Sequence, residues 1–146
     1  MRTNVKIKRV QLNINQSDES PVIGIVSTEP DYKLSLALNN KLKISLKNVS
    51  PISFSDSVGT DLTFSRFSDL SAAPDQTYNL TSNRSGKNFL IKKLKNIDYI
   101  FQINNSETGA DLDKIISILR DTECVTAAFN IDLKSLKDKN LQYIIQ

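Results

Sequence analysis

The 146-residue sequence has no histidine and no tryptophan, a single cysteine, a single methionine and only four glycines. Without an imidazole, Ser-His-Asp and Cys-His nucleophilic catalysis are excluded, and nearly every zinc site goes with them. The lone Cys124 rules out an intrachain disulfide. Its Cys-Val-Thr-Ala-Ala-Phe setting reads as a buried, inert small hydrophobe. Gly24, Gly59, Gly86 and Gly109 stand isolated, so there is neither a phosphate-cradling P-loop nor a dinucleotide fingerprint. The pair Asp111 and Asp113 opens a helical pattern, where carboxylates favour the dipole without any metal. No catalytic residue, metal ligand or cofactor is assigned.

Long apolar runs are also missing. No stretch approaches the roughly 20 residues a membrane span needs. The first 14 residues alternate apolar with charged side chains where a secretory leader would need an unbroken apolar run. A cytoplasmic protein without membrane association is the expectation. The apolar share of 39% and charged share of 24% are those of an ordinary globular chain, and a net charge of +3 does not by itself demand a nucleic-acid partner. One domain spanning residues 1–146 is expected, since a chain of this length buries roughly two thirds of its unfolded surface around one core.

What is present is mostly extended. Val5 to Ile14 alternates with period two, and Val22 to Val26 is a compact apolar run, so the two are expected to pair as a hairpin. A helix is expected from Pro30, whose ring presets the first helical φ, carrying Leu34, Ala37, Leu38 and Leu42 as a stripe and ending near Asn39-Asn40. Asn48 to Thr60, with Pro51 and many hydroxyl residues, reads as a loop. The central stretch, Tyr78 to Ile103, reads as a meander, with a turn at Asn83 to Gly86 and strands at Phe89 to Leu94 and Ile97 to Ile103. A second helix, Ala110 to Arg120, precedes a strand from Cys124 to Ile131 and an amphipathic terminal helix over Leu133 to Ile145.

These elements predict an α+β fold: a largely antiparallel sheet of five to seven strands, two helices on one face and a C-terminal helix at an edge. The second sheet face is then expected to need polar cover or a partner.

Three stretches carry a resemblance: Asp31 to Asn39, the turn entry Leu80-Thr81-Ser82-Asn83, and Ile91 to Tyr99. Their order and spacing are similar to the IPExxxVDY family, a set of small bacterial proteins with no assigned activity. Ile91, Asp98 and Tyr99 keep the naming motif, whereas Lys92 and Lys93 stand for its Pro-Glu and Ile97 for its Val. The resemblance implies a single-domain bacterial cytoplasmic protein and transfers no mechanism.

Asp98 is the polar residue that most needs an explanation. Set between Ile97 and Tyr99, its carboxylate must face water, pair with a cation or accept backbone hydrogen bonds. The functional alternative is a shallow pocket in which Asp98, Tyr99, Asn83 and Arg84 meet the Tyr32 end of the first helix. Lys87, Lys92, Lys93 and Lys95, with Arg84 beside them, form the densest basic cluster and are interleaved with Phe89, Tyr99 and Phe101. That combination is the basis of an RNA-binding alternative. The leading expectation is a non-enzymatic binding or adaptor module that works through protein-protein contacts, including a homodimer. A small histidine-independent enzyme using Tyr32, Asp98 and Tyr99 is the competitor.

Overall fold

The structure is a computed structural model, and it describes residues 21–73, 76–105, 112–132 and 135–144. Strand β1 (Val22–Val26) leads into helix α1 (Asp31–Leu42), followed by β2 (Lys47–Ser55), β3 (Asp61–Ala73) and β4 (Gln76–Ser82). A two-stranded ribbon, β5 (Arg84–Ser85) and β6 (Asn88–Phe89), precedes β7 (Tyr99–Asn105), helix α2 (Leu112–Arg120) and β8 (Ala127–Asn130). The last element is a 3-10 turn, Lys139–Tyr143.

The expected α+β class is the observed one. Six strands form one antiparallel sheet in the order β2-β3-β4-β7-β1-β8. Because strand side chains alternate between faces, the register sorts the apolar residues into two layers. Ile23, Ile25, Phe67, Leu80, Phe101 and Ile103 pack with Leu34 and Leu38 of α1 and Ile116 and Leu119 of α2. Val22, Ile52, Leu62, Phe64 and Ile100 point the other way.

That second face is where an expectation is overturned. It is covered by the chain itself: Leu90, Ile91 and Ile97 from the segment between β4 and β7, and Ile144 from the C-terminal end, are 0 to 6% exposed against it. Tyr143 stacks on Phe54 at 5.0 Å and Phe54 on Phe64 at 6.0 Å, closing the layer at the β2 side.

The central meander is corrected in the same way. β4 pairs directly with β7, from Gln76 opposite Asn105 to Ser82 opposite Tyr99, so residues 83–98 form an excursion from the sheet. Phe89 to Leu94 is no sheet strand; only Asn88 and Phe89 ladder, with β5, across the Gly86-Lys87 turn, where Gly86 takes φ +60°. Leu90 and Ile91 are both fully buried, and their backbone N–H groups bond to Asn83 instead of to a neighbouring strand.

The loop expected over Asn48 to Thr60 is mostly strand β2. Pro51 cannot donate to a ladder, but it sits at a register irregularity between Val49 and Ile52 on an edge strand, one of the places where proline is tolerated. Arg66 Nε donates to the Ser50 carbonyl at this bulge. Only Asp56 to Thr60 turns, with the Asp56 carboxylate accepting the Val58 and Thr60 amides.

Helix α1 starts as expected, the Pro30 carbonyl accepting the Leu34 N–H at 3.0 Å. It ends at Leu42 instead of Asn39-Asn40, with Lys43 in the left-handed region at φ +59°. Asn39 stays helical and uses its amide side chain to hold both backbone groups of Leu46. At the other end of the chain, the described part of the expected terminal helix is the shorter 3-10 turn. Strand β1 pairs with β7 and β8; the hairpin expected between it and Val5 to Ile14 involves residues outside the described ones.

Candidate binding groove

Asn83 follows the last residue of β4 and is 0% exposed. Its side-chain amide donates to the carbonyls of Leu94 (2.9 Å) and Ile97 (3.0 Å), and its Oδ1 accepts the Ile91 N–H at 2.8 Å. Its own backbone N–H donates to Asp98 O, and its carbonyl accepts the Leu90 N–H. One residue thus satisfies the backbone of an excursion that has left the sheet, as buried polar groups require.

The excursion returns at Asp98. One carboxylate oxygen meets Arg84 Nη2 at 2.7 Å and the other accepts the Ser27 N–H at 3.0 Å. Arg84 also lies over the Phe89 ring, 5.3 Å from its centroid. Ser27 in turn donates its hydroxyl to the Cys124 carbonyl at 2.6 Å. Asp98 therefore takes the structural pairing weighed in the sequence, linking the end of β1 to the start of the ribbon. Cys124 is half-buried beside the first core.

Tyr99 follows on the opposite face of the strand. Its hydroxyl donates to the Glu29 carbonyl at 2.7 Å. Burial, with the Asp31 and Asp98 carboxylates adding to it, pushes its pKa up to about 12. At neutral pH it is a protonated hydrogen-bond donor already in use.

These groups border an open groove. Two adjoining depressions, of about 380 and 560 Å³, share Ser82, Arg84 and Tyr99. One runs under the β1–α1 connection, along Ser27 to Pro30 and Asp98. The other crosses the sheet past Thr63 and Ser65 to Asn48, Val49 and Pro51 at the bulged edge, with Asp31 on its rim. Thr63, Ser65 and Ser82 alternate with core residues and lie on the helix-bearing face, beyond the start of α1, where no helix among the described residues covers the sheet.

Of the five residues singled out in the sequence, the fold brings Arg84, Asp98 and Tyr99 together at this groove. Asn83 lies buried behind it. Tyr32 is 59% exposed on α1 and is not among the groove residues. The sequence reading missed Ser27, Ser82, Thr63 and Ser65; isolated hydroxyl residues in a Ser-rich chain carry no local signal, and only strand pairing places them side by side. The lysines of the basic cluster are all exposed, but Tyr99 and Phe101 beside them are core, at 8% and 0%.

Among the described residues no cluster of potential metal ligands occurs, and no helix is long and apolar enough to cross a membrane. No protein-family model, curated protein or solved structure matches the chain.

Proposed function

We propose that this protein is a non-enzymatic binding module that engages a protein partner, or a second copy of itself, through the groove beside Arg84. The observation that supports this reading is the strip of sheet left open among the described residues, floored by Thr63, Ser65 and Ser82 and walled by the β1–α1 connection on one side and the bulged edge of β2 on the other. Hydroxyl side chains on an extended surface offer donors and acceptors to a segment laid across them. An enzymatic reading has less to draw on: the Asp98 carboxylate and Tyr99 hydroxyl are both engaged in bonds that hold the fold. Nucleic-acid binding retains the lysines but loses the stacking surface that Tyr99 and Phe101 were expected to supply. Membership of the IPExxxVDY family and a cytoplasmic location belong to the same proposal and rest on the sequence resemblance.

The test fills the groove. Ser65→Tyr places an aromatic ring on its floor without touching either core. Partner recovery from native lysate, and self-association by light scattering, are compared with the wild type at matched thermal stability. Loss of a specific partner or of self-association in the variant supports the proposal. A strictly monomeric wild type that recovers nothing, or a variant that binds as the wild type does, overturns it.

A further inference from the structure

The excursion at residues 83–98 concentrates charge. It holds five basic side chains (Arg84, Lys87, Lys92, Lys93, Lys95) and one acidic one (Asp98), or +4, against +3 for the whole chain. The rest of the sequence sums to −1, although it holds a second basic stretch at its start, Arg2 to Arg9.

Two features make this more than a solvated charge run. First, Lys87, Lys92, Lys93 and Lys95 are exposed and take part in none of the ion pairs found among the described residues, which are Lys33–Glu29, Lys41–Asp121 and Arg84–Asp98. The carboxylates at the base of the segment bond to groups other than these four ammonium groups: Asp98 to Arg84 and Ser27, and Asp138 to the backbone N–H groups of Lys92 and Asn140. Second, the lysines alternate with anchors. Leu90, Ile91 and Ile97 are buried in the second core, the Asn83 side chain holds Ile91, Leu94 and Ile97, and Asn140 Nδ2 donates to the Leu90 carbonyl at 2.6 Å. The backbone carrying the charges is fixed before any partner arrives, so binding orders side chains alone.

We infer that this anchored lysine ridge is a docking surface for an acidic protein segment, a short run rich in Asp and Glu. The proposal names a surface distinct from the groove and does not depend on the groove being occupied. A single-stranded nucleic acid fits less well. Such ligands draw much of their affinity from bases stacked on exposed aromatic faces. Here Phe89 is half-buried beneath the Arg84 guanidinium, and Tyr99 and Phe101 are core. Lysine ammonium groups, each a mobile point charge, suit carboxylates presented without fixed geometry.

The experiment measures fluorescence anisotropy of two labelled probes at low and at physiological salt: an unstructured glutamate-glycine peptide, and oligouridine of equal charge. Three proteins are compared: the wild type, Lys92→Glu with Lys93→Glu, and a control of equal net charge, Lys47→Glu with Lys114→Glu. All four substituted lysines are exposed, so folding is expected to be unaffected, and circular dichroism checks this. The expected result is peptide binding that weakens with salt, falls by roughly tenfold or more in the ridge variant and changes little in the control. Oligouridine bound more tightly than the peptide, equal losses in both variants, or no peptide binding at low salt would each overturn the proposal.

Discussion

The two oxygens of the Asp98 carboxylate hold two separate parts of the chain: Arg84 at 2.7 Å across the excursion, and the Ser27 amide at 3.0 Å beyond the end of β1. Removing the charge with Asp98→Asn leaves an oxygen for Ser27 but weakens the contact with Arg84. The Arg84 side chain is 49% exposed, which limits what the ion pair contributes. A loss of about 1 kcal/mol is expected, lowering Tm by about 2–4 °C for a chain of this size. A double-mutant cycle with Arg84→Met should show coupling below about 1 kcal/mol; additive losses would mean that the pair contributes no interaction of its own.

A larger effect is expected one turn of the chain away. Asn83→Ala strands the buried Ile91 N–H and Ile97 carbonyl and takes one of two hydrogen bonds from the Leu94 carbonyl, which keeps the Ile97 N–H. At roughly 1–3 kcal/mol for each unsatisfied group, partly relieved by relaxation, the substitution should cost about 3–5 kcal/mol. Urea unfolding measures the total, and amide exchange should speed up first at Ile91. Asn83→Asp should do no better, because a carboxylate cannot donate to the two carbonyls.

Gly24 marks a close approach between β1 and the second core layer. A Cβ placed there would lie 2.8 Å from Ile97 Cδ1 and 2.9 Å from Ile131 Cδ1. Gly24→Ala is therefore expected to destabilise by about 1–3 kcal/mol through overpacking. Because Ile→Val deletes the clashing methyl, Ile97→Val should recover part of that loss in the double variant although it destabilises alone. Strict additivity of the two changes would rule out the clash as the cause.

Tyr99 gives the chain an alkaline signature. Its folded pKa, about 12, lies above the ordinary tyrosine value of about 10. The native state therefore holds the phenolic proton where the unfolded state has released it. Its contribution to stability is complete below pH ~10 and is lost as the pH rises from there to about 12. The difference absorbance titration between wild type and Tyr99→Phe should place this ionisation near pH 12. Between pH ~10 and ~12 the stability of Tyr99→Phe should fall less steeply than that of the wild type.

By itself the sequence determined the fold class, the Pro30 start of α1, the α2 stripe and the strands β1, β4 and β7, because period and capping chemistry act within a few residues of one another. It also marked Asp98, since a carboxylate beside core residues must find partners, whereas Asn83 was legible only as a turn residue and pocket candidate. The tertiary structure decided who those partners are. The Asn83 side chain bonds to residues 8 to 14 positions ahead, and Asp98 to Ser27, 71 positions back. Edge position let Pro51 sit within strand β2, and the capture of the Ile91, Leu94 and Ile97 backbone by Asn83 turned an expected strand into the cover of the second face. Local alternation cannot tell a strand that joins a sheet from a segment that folds over it, because both bury apolar side chains; the hydrogen-bond partners that distinguish them are distant in the chain.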